Sequence, residues 1–168
     1  MGVSDSACIL LVDSDSESLF FLASLLIASD FRVITARSTQ DALKYSIGEP
    51  LDLLITENLL SDGDGIELVK SVRQNENHSD VPVMYLSSSQ KAGVIRRMHD
   101  FGAAFHLKKP IEPKAFIELV ERALWMPHLV RNQIEQSTMK QPHVSFAQNP
   151  LVDSFLVGPP VVDTPSTF

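Results

Sequence analysis

The chain has 168 residues, of which 44% are hydrophobic and 21% are charged. This size and balance suit one soluble domain with some additional chain. The formal net charge of −7 repels phosphate backbones and argues against nucleic acid as a partner. No apolar stretch reaches the roughly 18 residues that a membrane-spanning helix needs. The single cysteine, Cys8, cannot form an internal disulfide, so the sequence predicts a reducing, cytoplasmic location.

Short apolar runs alternate with amphipathic segments up to residue 125. Each run has the length of a strand and is bounded by polar or turn residues. The runs cover residues 8–12, 32–36, 51–56, 81–86 and 104–107. Five strands alternating with five helices predict right-handed crossovers, and therefore an α/β fold with a doubly wound parallel sheet covered by helices on both faces.

The helical segments are indicated by their apolar spacing. In the first of them, this spacing predicts a buried face made of Leu19, Phe20, Ala23, Leu26 and Ile27. Residues 7–125 are thus expected to form one domain. Residues 126–136 are expected to form a helical extension, with Pro127 in its first turn. Residues 137–168 contain prolines and almost no charge, so we expect a flexible tail there.

Polar side chains follow four of the predicted strands, at the edge where a parallel sheet places its chemistry. They are Asp13, Ser14 and Asp15 after the first strand, Glu57 after the third, Ser87 after the fourth and Lys109 after the fifth. Carboxylates can hold a hard cation, while a hydroxyl and an ammonium group can contact phosphoryl oxygens. The order of these residues therefore predicts a site related to phosphoryl handling.

Residues 7–125 resemble the receiver domains of response regulators in two-component signalling. The matching segments are residues 9–13, 52–57, 62–65, 82–87 and 102–110. The resemblance implies a flavodoxin-like strand order of 2-1-3-4-5 and a cis peptide between Lys109 and Pro110. It also implies a magnesium site at the acidic pair after the first strand, a phosphate-accepting position at residue 57, phosphoryl contacts from Ser87 and Lys109, and a switch position at residue 106.

The sequence departs from the family pattern at three of these positions. Glu57 stands where the family has the phospho-accepting aspartate, Ser14 replaces the second acidic residue, and His106 replaces the switch aromatic. Glutamate extends its carboxylate by about 1.5 Å, the length of one carbon–carbon bond, and in-line transfer tolerates little displacement. The longer side chain also brings the carboxylate towards Lys109, so we predict a direct ion pair between them.

The sequence thus predicts a stand-alone degenerate receiver that works as a protein-interaction module and not as an enzyme. It would need no cofactor, although weak magnesium binding at Asp13, Ser14 and Asp15 stays open. The expected partner is a signalling protein or a histidine kinase, and a homodimer is also left open. For Asp13 and Asp15, capping of the first helix is an equal alternative to metal binding.

Two other functions are kept as alternatives. A strand that ends in Asp13 and Asp15, with a later serine and lysine, also resembles the haloacid-dehalogenase phosphatases, in which Asp13 would be the nucleophile. Those enzymes need a further acidic pair after another strand. The second alternative is a receiver that is phosphorylated at an atypical residue, such as Asp62 or a serine.

Overall fold

The computed structural model describes residues 6–88 and 91–125. Its centre is a parallel sheet of five strands, β1 (Cys8–Val12), β2 (Arg32–Ala36), β3 (Leu53–Glu57), β6 (Val83–Ser87) and β7 (Phe105–Lys108). Two short strands, β4 (Leu59–Leu60) and β5 (Gly63–Asp64), form a separate antiparallel pair after β3. The order of the strands in the five-stranded sheet is β2-β1-β3-β6-β7. The predicted doubly wound fold and its strand order are confirmed, and the Lys109–Pro110 peptide bond is cis.

Helices connect the strands and cover both faces of the sheet. They are α1 (Ser16–Ala28), α2 (Thr39–Ser46), α3 (Gly65–Arg73), α4 (Ala92–Asp100) and α5, which is helical over residues 113–125, with a 3₁₀ turn at Glu76–His78. Four of these α-helices begin at a side chain that accepts a backbone N–H bond. The caps are Asp15 for α1, Ser38 for α2 and Asp64 for α3, residue types that favour helix starts. At the start of α5, the carboxylate of Glu112 accepts from the N–H groups of Lys114 and Ala115.

Two apolar cores lie on opposite faces of the sheet. Along β1, Ile9 and Leu11 belong to the core under α1 and α5, while Leu10 and Val12 belong to the core under α2, α3 and α4. This alternation follows from the two-residue period of a strand. Because β1 and β3 are buried on both faces, they read as continuous apolar runs in the sequence.

The predicted buried face of α1 was wrong in part. Leu19, Ala23 and Leu26 are buried as expected, but Phe20 and Ile27 are 77% and 60% exposed. Leu22, which the prediction omitted, is fully buried. Periodicity could not separate the two faces, because α1 is apolar on both of them.

The predicted boundaries of the domain, residues 7 and 125, stay a prediction. The helical extension predicted at 126–136 and the flexible tail predicted at 137–168 lie outside the described residues. Among the described helices, none combines the length and the apolar character that crossing a bilayer requires.

Candidate functional site at the carboxyl edge of the sheet

The carboxyl ends of β1, β3 and β6 bring the predicted polar residues together. Asp13 directly follows β1, Glu57 ends β3 and Ser87 ends β6, and all three are buried. Lys109 follows β7 and is fixed there by a bond of 2.9 Å from its N–H to the carbonyl of Ser87. Because the strands are parallel and in register, residues distant in sequence meet at one edge.

Lys109 is the centre of this site. Its Nζ lies 2.6 Å from Oδ2 of Asp13 and also contacts Oε2 of Glu57. Only 17% of the Lys109 side chain is exposed, and both carboxylates are more buried than that. The predicted Glu57–Lys109 ion pair is therefore present, and Asp13 is a second acceptor. Charge-assisted bonds in such a shielded position are among the stronger ones in proteins.

The surroundings of the site shift the pKa values of Glu57 and Lys109. Burial raises the pKa of Glu57, the hydrogen bond and charge of Lys109 oppose the rise, and the charge of Asp13 adds to it. A backbone N–H of Ser88 also favours the ionised form of Glu57. For Lys109, burial alone would lower the pKa, but the bonds and charges of Asp13 and Glu57 outweigh it and raise the pKa. Burial thus sets the direction of the pKa shift for Glu57, whereas the two carboxylates set it for Lys109.

Asp15 does not join the pocket. Its side chain is exposed and accepts a bond of 3.2 Å from the N–H of Glu17, as the N-cap of α1. Its own N–H donates to Oδ1 of Asp13 at 2.9 Å. Of the two alternatives that the sequence left open for Asp15, this geometry supports the helix cap.

Ser14 connects three loops at the rim of the site. Its hydroxyl accepts a bond of 2.8 Å from the N–H of Ser61 and donates to the carbonyl oxygen of Arg37 at 3.2 Å. The hydroxyl thus links the loops that follow β1, β2 and β3. A carboxylate at this position could accept from Ser61 but could not donate to Arg37.

A magnesium ion at this site would compete with contacts that the chain itself makes. Both carboxylate oxygens of Asp13 are already bound, one by the N–H of Asp15 and one by Lys109. Ser14 offers a neutral hydroxyl that is engaged on both sides. Among residues 6–88 and 91–125, no group of three acidic, histidine or cysteine side chains is arranged to hold a metal ion. Magnesium demands a near-ideal octahedron of hard oxygen ligands.

His106, the predicted switch position, lies on β7 directly opposite Tyr85 of β6. The Nε2 atom of His106 and the hydroxyl of Tyr85 are both buried without a hydrogen-bond partner in the described part of the chain. Burial lowers the pKa of His106, which favours the neutral form of its ring. The predicted switch position thus carries an imidazole ring whose charged form is disfavoured by burial.

Three contacts near the site were not predicted from the sequence. Both carboxylate oxygens of Asp62 accept bonds from the start of α2, including 2.6 Å from the hydroxyl of Thr39, and these bonds lower the pKa of Asp62. A Cβ atom at Gly65 would lie 2.2 Å from the carbonyl oxygen of Glu57. The Ser88 N–H reaches Glu57. The Asp-Gly turn was visible in the sequence, but its contacts depend on the fold.

Comparison with known proteins agrees with this geometry. The family model described as the response regulator receiver domain matches residues 9–121. The chain belongs to this family. The two-component response regulator ORR5 of Oryza sativa subsp. japonica is 31% identical over 117 residues, which cover 69% of this chain and 87% of that protein.

Solved receiver structures show the same architecture. The non-phosphorylated HemR receiver domain from Leptospira biflexa is 28% identical, with a TM-score of 0.66, and the match covers 71% of this chain and 94% of that one. The chemotaxis response regulator CheY4 of Vibrio cholerae is 23% identical, with a TM-score of 0.66 over 70% and 98% of the two chains, and supports the fold alone. Receiver domains are generally non-enzymatic signalling modules that interact with kinases or other proteins.

Proposed function

We propose that this receiver domain works without phosphorylation at Glu57, as a stand-alone protein-interaction module in two-component or phosphorelay signalling. The observation that carries the proposal is the double ion pair of Lys109 with Glu57 and Asp13. The lysine that the family resemblance assigns to a phosphoryl group is here bound by carboxylates of the chain itself. The site would thus be held in one arrangement by internal contacts.

Glu57 is poorly placed as an acceptor of a phosphoryl group. Its carboxylate extends about 1.5 Å beyond that of an aspartate on the same backbone, and it contacts the ammonium group directly. A displacement near 1 Å costs on the order of 100-fold in a reaction that depends on positioning. The carboxylate would also have to leave Lys109 before it could attack a phosphodonor.

The proposed module requires no cofactor. Lys109 supplies the positive charge between Asp13 and Glu57, and the oxygen atoms around it are engaged. Weak magnesium binding therefore has to compete with the ammonium group for the same carboxylates.

We propose that the partner is a signalling protein or a histidine kinase and that the protein acts in the cytoplasm. With a net charge of −7, nucleic acid is a poor partner.

The test is incubation with acetyl phosphate and magnesium, followed by intact-mass measurement. We expect no stoichiometric phosphoryl adduct on this protein. A receiver domain that carries aspartate at the acceptor position is the positive control for the reagent. An adduct that maps to Glu57 would contradict the proposal.

The two alternatives are less well supported. In the phosphatase alternative, Asp13 would be the nucleophile, yet both of its oxygens are bound and Asp15 caps a helix. Within the described residues, the segment after β7 is helical over 113–125 and adds no strand to the sheet. Phosphorylation at Asp62 would displace the bonds from Thr39 and Gln40 that begin α2. A phosphatase assay with a generic phosphomonoester and peptide mapping of labelled protein separate these alternatives.

A further inference from the structure

Helix α1 has more apolar surface than the core uses. Its inner face, with Leu19, Leu22 and Leu26, is buried against the sheet. Its outer face carries Phe20 and Ile27, which are seven residues apart and therefore lie on the same side of the helix. They remain largely exposed. A helix that is apolar all round is normally buried, so the outer face of α1 is suited to contact another molecule.

An open pocket lies where the chain leaves α1, between residues that follow this helix and residues of α5. Its volume is about 610 Å³, a size in the range of ligand-binding pockets. The lining residues are Ser29, Phe31, Glu118, Glu121, Arg122, Leu124 and Trp125. Trp125 is 68% exposed at the edge of this cavity. Tryptophan is enriched among the residues that contribute most of the binding energy at protein interfaces.

The surroundings of the cavity are acidic. Glu118 and Glu121 line it and Asp30 lies between two lining residues in the sequence. Arg122 is the one basic lining residue within the part of the chain that the structure describes. All four side chains are exposed, and none forms an ion pair within residues 6–88 and 91–125. Unpaired charge of one sign at the rim favours a partner of the opposite sign.

We propose that this surface binds an amphipathic, basic helix of a partner protein. We call it the α1–α5 surface and define it by Phe20, Ile27, Asp30, Phe31, Glu118, Glu121, Leu124 and Trp125. One large apolar side chain of the partner helix fills the cavity. Neighbouring apolar residues of that helix cover Phe20 and Ile27, and its Lys or Arg residues face the carboxylates. This is the helix-in-groove mode of recognition, with anchors spaced along one helical face.

Two other occupants fit the charges less well. A second copy of this chain in a two-fold dimer would place Asp30, Glu118 and Glu121 near the same residues of its partner, because such an interface uses one patch on both subunits. The remaining chain, residues 126–168, contains Arg131 and Lys140 against Glu135, Asp153 and Asp163. Neither a second copy nor residues 126–168 carries an excess of positive charge that would complement the acidic rim.

The pocket of the α1–α5 surface lies away from the Lys109 site. Ser29 and Phe31 precede β2 and thus lie at the amino edge of the sheet, opposite the carboxyl edge. The inference extends the proposed function by naming a surface for the interaction module. It does not depend on the chemistry of Glu57, so phosphorylation of Glu57 would overturn the proposed function and leave this surface untouched.

The experiment uses the full chain and a synthetic helical peptide with leucine on one face and lysine on the other. The peptide lacks tryptophan, so Trp125, the only tryptophan of the chain, reports binding by its fluorescence, and calorimetry gives the affinity. We expect a saturable blue shift. We also expect about ten-fold weaker binding for Ile27→Ser and for the double variant Glu118→Gln/Glu121→Gln. Circular dichroism checks that each variant is folded.

Matched controls separate this site from general attraction of a cation to an acidic protein. Ile47→Ser removes a similarly exposed isoleucine at the end of α2, and Glu76→Gln/Asp80→Asn removes the same charge elsewhere; both should bind the peptide like the parent protein. A scrambled peptide of the same composition, and one with glutamate in place of lysine, should bind about ten-fold more weakly or worse. Equal binding of either peptide, or equal losses in the control variants, overturns the proposal. So does a dimer in sedimentation that Ile27→Ser dissociates, because the occupant is then a second copy.

Discussion

Glu57 and Lys109 form a direct ion pair, although one residue ends β3 and the other follows β7. Their side chains are only 11% and 17% exposed. Asp13 binds the same ammonium group at 2.6 Å, so a single cation balances two carboxylates in a shielded place. The stability of this edge of the sheet therefore depends on Lys109 more than on either acidic residue alone.

Lys109→Ala should destabilise the protein strongly. The change leaves Asp13 and Glu57 buried side by side without a cation, and breaking a buried ion pair in this way costs about 3 kcal/mol or more. Lys108→Ala is the matched control, because the Lys108 side chain is exposed and takes part in no ion pair among the described residues. Urea unfolding at pH 7 measures both. Equal free energies of unfolding for Lys109→Ala and the parent protein would show that the network contributes nothing.

The pH dependence of stability should report the protonation of Glu57. The pKa of Glu57 is raised above its ordinary value of 4.5, so the folded state binds its proton more tightly than the unfolded state does. Its contribution is then fully present below pH 4.5 and is lost as the pH rises through the higher folded pKa. The free energy of unfolding of the parent protein minus that of Glu57→Gln should therefore fall as the pH rises above 4.5. A difference that grows with pH would mean that Lys109 outweighs burial.

The fold could be predicted from the sequence because each strand of the sheet is a compact apolar run. The runs at 8–12 and 32–36 coincide with β1 and β2. The third and fourth runs begin two residues before β3 and β6, because Leu51 and Val81 are buried without belonging to the ladder. A hydrophobic residue in the sequence predicts burial, but it does not show whether the residue is paired in the sheet. The same limit explains α1, where the exposed Phe20 and Ile27 look like core residues.

The site was predicted at the level of residue types and less well at the level of contacts. The order of Asp13, Glu57 and Lys109 along the strands was enough to predict the ion pair of Glu57. The second bond of Lys109, to Asp13, and the link from Ser14 to Ser61 depend on loop geometry that has no periodic signal. Such contacts between distant loops become visible only when the register of the sheet is known.

Gly65 should be required for the backbone at the end of β3. A Cβ atom there would lie 2.2 Å from the carbonyl oxygen of Glu57. Because this is too close for two non-bonded atoms, the start of α3 would have to move away from β3. We expect Gly65→Ala to cost about 3 kcal/mol. Gly93→Ala is the matched control, since Gly93 also lies in the first turn of a helix and has open space around it. It should be neutral or stabilising. Thermal unfolding that ranks the two variants alike would contradict the packing of Gly65.

The site should regain metal binding and phosphorylation only when two positions are changed together. Ser14→Asp adds a hard oxygen ligand beside Asp13, but it loses the bond to the carbonyl of Arg37, at a cost of about 1 kcal/mol. Glu57→Asp withdraws the acceptor carboxylate by about 1.5 Å and opens space in front of Lys109. Neither change alone supplies both the cation and the in-line acceptor that phosphoryl transfer needs.

We therefore expect Ser14→Asp/Glu57→Asp to respond to magnesium and to acetyl phosphate far more than the sum of the single variants, as groups that act as a unit do. Magnesium should raise the thermal midpoint of the double variant, because a ligand that binds only the folded state stabilises it, and should leave the parent protein unchanged. Acetyl phosphate should then label the double variant at residue 57, and Lys109→Ala in that background should abolish the labelling. If the folded double variant neither gains stability with magnesium nor becomes labelled, the assignment of the receiver site to Asp13, Ser14, Glu57 and Lys109 is wrong.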